Sequence, residues 1–241
     1  MTIQRMILVV TLHIGISSSV NSQTKTLDLN NRIDARYGIQ KMFDAKELAK
    51  KNAGSYPDVQ GSPYWSDLWL KAFVQLTNGT VYTVAKAKID THTQEFEYLN
   101  ENEIRMVIDA SSIMKVALMK EEDTSAYAGV FIVLPDHVDN KPAAFFRICN
   151  NGKVQLLAMQ KNAIKSGPPD PFVTTQTSFF NKKTYYVLYN DNHISPLKSL
   201  DQDEILHQLK PSAEQLDWLK KNRSRLKTEE DVVKFLDQYN K

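Results

Sequence analysis

A single cysteine, Cys149, among 241 residues excludes any intramolecular disulfide, so this chain must hold its fold by packing alone. Glycine is scarce as well. With 8 in the chain, there is little of the residue that phosphate-cradling loops require, and no G-x-S-x-G nucleophile elbow occurs. Charge of one sign is also missing: the formal net charge is +2, too small to draw the whole molecule to nucleic acid or an anionic membrane. The apolar stretch Met6 to Ile16 is too short to span a bilayer.

That short stretch has a different meaning where it stands. Arg5 precedes it and the small polar residues leading to Val20-Asn21-Ser22 follow, which is the pattern of a secretory signal peptide over residues 1–22. The mature chain is then expected to begin near Gln23, to be exported to the periplasm or cell exterior, and to carry no transmembrane segment. Some 219 residues would remain (241 less 22), ample for one sizeable core.

Residues 23–60 read as a polar arm with a short helix, opened by the Asp44/Glu47 capping box and stopped at Gly54; the turn Tyr56-Pro57-Asp58 follows. Residues 61–241 read as a single domain, with a sheet over about 68–190 and helices over about 201–240. Strands are predicted at 72–76, 80–89, 94–99, 103–108, 127–134, 143–149, 154–160, 172–180 and 184–189. Asn78-Gly79 between the first two is a strong hairpin signal, and the short connections favour sequential antiparallel pairing. Three helices follow, opened at Asp201, at Ser212 with Gln215, and at Thr228 with Asp231. The fold class is α+β, predominantly β: a curled antiparallel meander, open or partly closed as a barrel, with a helical tail.

Gly61-Ser62-Pro63-Tyr64 with Trp69, then Asn78-Gly79, Tyr82, Asp90 and Glu95-Phe96-Glu97, follow one another along the chain. So do Tyr185-Tyr186, Leu219-Lys220-Lys221-Asn222, Glu229-Glu230-Asp231 and Tyr239-Asn240. On these motifs the chain resembles a large family of uncharacterised secreted proteins from Bacteroidetes-type Gram-negative bacteria. The resemblance runs from about residue 61 to the end. It implies an exported sheet protein with a helical tail and supplies no catalytic residues. Trp65 departs from it, standing where the relatives more often carry an aliphatic residue.

Three constellations are candidates for chemistry. Tyr64, Trp65 and Trp69, behind the Gly-Ser-Pro turn, are either an aromatic platform for a ligand or a peg for the sheet. Asp136, His137 and Asp139 at a polar hairpin tip are candidate metal ligands, though two acids and one histidine do not complete a structural zinc site. His92, Glu95 and Glu97 lie close in sequence, but strand alternation places the two glutamates on the solvated face of a sheet. No cofactor is implied. The basic run Lys220 to Lys227 is offset by Glu229, Glu230 and Asp231 beside it, so nucleic acid is not an expected partner.

The leading expectation is a non-enzymatic envelope protein binding an apolar small molecule or an envelope protein on its curled sheet. The alternatives are an envelope hydrolase using carboxylates such as Asp90, Glu95 and Asp136, and a structural or surface-assembly subunit.

Overall fold

The computed structural model describes residues 25–26, 59–120, 122–123, 126–136, 141–166 and 177–241. The signal segment, the Asp44/Glu47 helix, the turn at Tyr56, most of the Pro-rich stretch after Lys165, and His137 and Asp139 lie outside them.

One 12-stranded mixed sheet organises the described residues. Its strands are β1 (Lys25–Thr26), β2 (Val59–Gln60), β3 (Leu70–Leu76), β4 (Val81–Asp90), β5 (Glu95–Leu99) and β6 (Arg105–Asp109), followed by β7 (Ile113–Met119), β8 (Tyr127–Asp136), β9 (Lys141–Ile148), β10 (Gln155–Ser166), β11 (Thr177–Leu188) and β12 (Ile194–Leu197). Spatially they run β12-β11-β10-β9-β8-β7-β3-β4-β5-β6, with β1 added to β4 and β2 to β11 in parallel. The expected α+β, predominantly β architecture is what the chain adopts, as a curled sheet that does not close.

Pairing is not sequential throughout. After β6 the chain passes through the 3-10 turn Ala110–Ser112, and β7 returns to pair with the free edge of β3. β3 buries every second residue from Leu70 to Leu76, so it belongs inside the sheet and needs a partner on both edges. The two strands expected at 172–180 and 184–189 are, over the described residues, one: Asn181-Lys182-Lys183 runs on through β11, registered against Asn162, Lys161 and Gln160. Polar residues on an exposed stretch of a long ribbon look like a turn when only composition is read. β7 and β12 were not anticipated; β12 carries Pro196 in an edge strand, where a missing N–H costs least.

Three helices close the chain, α1 (Gln202–Leu209), α2 (Ala213–Asn222) and α3 (Glu229–Tyr239). Each begins at its expected cap. Asp201 accepts from the Glu204 N–H, Ser212 and Gln215 form a reciprocal box, and Thr228 accepts from the Asp231 N–H. Their apolar faces, Ile205, Leu209, Leu219, Val232, Phe235 and Leu236, cover Val154, Leu156, Val187 and Leu197 of the sheet. Asn240 ties the end of α3 to β10: its Oδ1 accepts from the Val154 N–H at 2.9 Å and its Nδ2 donates to the Val154 carbonyl at 2.9 Å. Alternate residues of the same strands, among them Phe146, Leu157, Met159 and Tyr186, are buried on the opposite face. Burial on both faces is why Leu156 to Met159 is a continuous apolar run rather than an alternating one.

At the other half of the sheet, Leu70, Ala72, Val74, Ile89, Phe96, Tyr98, Val116, Leu118, Phe131 and Phe145 share one interior cluster. The turn between β4 and β5 bends over to meet β9 and β10. Gln94 donates to the Gln160 carbonyl at 3.2 Å and accepts from the Phe145 N–H at 2.9 Å, and the Asn162 N–H reaches the Thr91 carbonyl at 3.3 Å. Strands far apart in the order are thus brought face to face across the core.

Candidate functional site

The stretch 61–69 enters this architecture as a strap. Gly61, at φ +89°, turns the chain out of β2. Residues 63–65 then run antiparallel to the end of β4: Tyr64 bridges Asp90, the Trp65 N–H donates to the Ile89 carbonyl at 2.9 Å, and the Thr91 N–H donates to the Pro63 carbonyl at 2.8 Å. Asn162, buried in β10, clamps the strap from the other side, its Nδ2 donating to the Ser62 carbonyl at 2.7 Å.

Extended backbone sends neighbouring side chains to opposite faces. Trp65 goes inward, where its ring meets Phe131 edge-on at 5.1 Å and 84°. Gly129 makes room for it: a Cβ there would lie 3.1 Å from the indole and 2.9 Å from Phe131. Tyr64 goes outward. With Trp69 it sandwiches the Lys88 ammonium, at 4.6 Å from the Tyr64 ring and 4.8 Å from the Trp69 ring. The aromatic triplet is therefore divided, one ring a core peg and two an outer cage whose cation is already supplied by the chain.

Beside that cage lies Glu97, whose side chain is 0 % exposed although the glutamates of β5 were expected on a solvated face. Charge pairing overrides the alternation pattern here. Arg105 donates to the Glu97 carboxylate and, at 2.6 Å, to the Tyr64 hydroxyl, which in turn donates to Glu97 at 3.1 Å. Burial raises the Glu97 carboxyl above the ordinary carboxylate value, opposed by the hydrogen bond and charge of Arg105. Burial, then the adjacent Glu97 charge, raises the Tyr64 phenol; burial lowers the Lys88 ammonium. The Glu97 carboxylate and the Tyr64 hydroxyl of this set are both committed to neighbours.

Asp90 and Glu95 do not converge on a cleft. Asp90 accepts from the His92 and Thr93 N–H groups at 2.7 and 2.9 Å, and Glu95 accepts from the Thr93 hydroxyl at 2.9 Å, so both serve one turn. His92 points elsewhere, with Nδ1 2.6 Å from the Asn162 carbonyl and its ring edge-on to Phe179. Asp136 ends β8, registered with Lys141. Among the described residues no group of three His, Cys, Asp or Glu side chains is arranged to hold a metal ion. Cys149 has its thiol pushed up to about 12, chiefly by burial, which makes it a poor nucleophile.

Among the described residues, the hollow beside Trp65 is small. Between Trp65, Phe131, Phe145, Arg147 and Lys183 there is a gap of about 10 Å³, the space of roughly one water. Larger hollows lie outside the sheet, at the helical corner between α2 and α3.

Comparison of the chain with protein-family models, curated proteins and solved structures returned no match.

Lys88 and Arg105 are the residues that sequence reasoning passed over. A signal for Arg105 existed: once β5 and β6 are read as a hairpin, Leu99 faces Arg105, and the arginine stands diagonal to Glu97 on the same face. Lys88, directly opposite Glu97 in register, was legible in the same way.

Proposed function

We propose that this is an exported, non-enzymatic binding protein that meets its partner, an envelope protein, on the outside of a packed sheet. The observation that carries the reading is the filled interior. Among the described residues, Trp65 and Phe131 pack into the concavity of the sheet, and the gap beside them is about 10 Å³, against the several hundred that small-molecule pockets enclose. Exposed apolar side chains support an outer contact surface: Leu68 on the strap, Val81, Met114 and Tyr127 on β4, β7 and β8. Asp90 and Glu95, two of the carboxylates of the hydrolase alternative, are committed to the turn between β4 and β5 and lend it no support. The N-terminal pattern of Arg5 and the following apolar stretch supports export.

The test is native mass spectrometry of protein recovered from the periplasm of its producing cells, with lipid extraction of the same sample. The expected result is a chain beginning near Gln23 with no small molecule retained. A stoichiometric apolar molecule in the extract would overturn the packed-scaffold reading, and an intact N-terminus in the cytoplasmic fraction would overturn export.

A further inference from the structure

Acids follow the basic run directly, but two of the three, Glu229 and Glu230, are engaged elsewhere. Glu229 turns to the sheet, where its carboxylate pairs with Arg147 at 2.5 Å and accepts from the Tyr185 hydroxyl at 3.2 Å. Glu230 pairs with Lys234 at 2.6 Å. Lys220 stands 3.6 Å from Asp217, while Lys221, Arg223, Arg225 and Lys227 are exposed and form no ion pair among the described residues. Of the five cations in the eight positions Lys220 to Lys227, four therefore stand without an ion pair among the described residues, with Asp231 and Asp237 in the lining of the same groove.

They are mounted on a defined loop. Arg223 and Leu226 both take the left-handed backbone, at φ 51° and 52°, and Leu226 is fully buried under the helices. The Ser224 N–H reaches back to the Leu219 carbonyl at 3.3 Å, and Asn222 Nδ2 donates to the Trp218 carbonyl at 2.8 Å. Two hollows meet at Arg223 to Arg225, one of about 600 Å³ and one of about 430 Å³. The larger is lined by Trp218, Asn222, Lys227, Asp231 and Asp237 as well. Trp218 is half-buried, leaning on Phe235 at 6.3 Å between centroids.

This lining selects among anions. A polyphosphate or a surface of lipid phosphates offers Asp231 and Asp237 few hydroxyl donors and would gain little from an indole. A sugar ring stacks on an indole, its hydroxyls donate to carboxylate oxygens, and a carboxylate on the ring pairs with guanidinium groups. From this complementarity we infer that the groove between α2 and α3 binds an acidic saccharide, an oligosaccharide of uronic-acid units, with Arg223 and Arg225 on the sugar carboxylates and Trp218 beneath a ring. The site lies on the helices, apart from the sheet surface proposed for a protein partner.

The experiment is titration of the full chain with tetragalacturonic acid, followed by the indole N–H signals in nitrogen-15 correlation spectra, with Trp218→Phe to assign that signal. The Trp218 indole is expected to shift saturably while those of Trp65 and Trp69 stay still. The Arg223→Gln/Arg225→Gln variant, altered only at exposed positions, should bind at least about tenfold more weakly. The neutral tetragalactose should not bind. No shift at millimolar ligand, or equal binding by the double variant, overturns the site. Equally tight binding of a polyglutamate peptide or inorganic phosphate overturns the saccharide and leaves charge alone. Shortening of the tetrasaccharide on prolonged incubation would keep the site and overturn the non-enzymatic function instead.

Discussion

Removing Arg105 tests the best-defined polar feature of the fold. In Arg105→Leu the Glu97 carboxylate, 0 % exposed, keeps among the described residues one hydrogen bond, from the Tyr64 hydroxyl, and the more distant Lys88 charge. Breaking a buried pair by removing one member costs about 3–5 kcal/mol, because the charge left behind is desolvated and unmatched. The Arg105 side chain is 15 % exposed, so solvent screens part of the interaction and the lower end, about 3 kcal/mol at neutral pH, is expected. For a chain of this size that is about 6–12 °C of melting temperature. The pH dependence carries the sign. The folded-state carboxyl already sits above its unfolded value of 4.5, chiefly through burial, and loss of Arg105 raises it further. Between 4.5 and that raised value the folded protein holds a proton that the unfolded chain has lost, so stability falls as pH rises through the window. The variant should therefore recover toward wild type as pH falls from about 7 to about 5, and Glu97→Gln/Arg105→Leu should lie within about 1 kcal/mol of wild type at both. Urea denaturation at the two pH values measures all of this. A loss under about 1 kcal/mol, or one independent of pH, would refute the account of Glu97 as a buried charge held by Arg105.

Other outcomes follow from the division of the aromatic triplet and from the sheet contacts. Trp65→Ala, which opens a hole against Phe131, should cost about 3 kcal/mol by denaturant midpoint, whereas Trp69→Ala should cost about 1 kcal/mol or less; equal losses would mean that Trp69 is a core residue too. Asn162→Ala frees the strap carbonyl of Ser62 and leaves a cavity, an expected loss of about 1–3 kcal/mol, accompanied by earlier proteolytic cleavage in residues 61–69 than anywhere in β10. Gly152, at φ +137°, has no room for a Cβ beside Asn240, so Gly152→Ala should detach the end of α3 and speed hydrogen exchange at Val154, while Gly79→Ala meets no neighbour and costs backbone strain alone. Cys149, with its thiol pushed up to about 12, should react with a disulfide reagent only when the chain is unfolded; fast labelling of the native protein at neutral pH would contradict its burial.

Local signals carried most of the architecture. Asn78-Gly79 forms its hairpin, with the Gly79 N–H on the Leu76 carbonyl and Gly79 at φ +83°, and the three helix caps fall on the expected residues. What escaped was non-local. β7 pairs with β3, some forty residues back, and nothing in Ile113–Met119 names that partner. The character of Glu97 was hidden for the same reason: alternation predicts which face a side chain takes, but whether that face is wet depends on Tyr64 and Arg105 arriving from other elements. Trp65 was ambiguous only while the local backbone was unknown. Once the strap is extended, the parity of Tyr64 and Trp65 decides which ring is in the core.

The strap also explains how a large open sheet without disulfides keeps its curl. Twisted sheets of this size tend to splay unless their faces are pinned together. Here residues 62–65 lie between the end of β4 and the middle of β10, bonded to Ile89 and Thr91 on one side and to Asn162 on the other, and Gln94 adds a second tie to Gln160 and Phe145. Trp65 drops from that point into the concavity and fills it. The same geometry that makes the sheet stable without covalent help makes it a poor container, because the closing element and the plug are adjacent residues of one chain. The proposed recognition accordingly uses the outer face and the helical corner, where cations and rings are held by loops and caps.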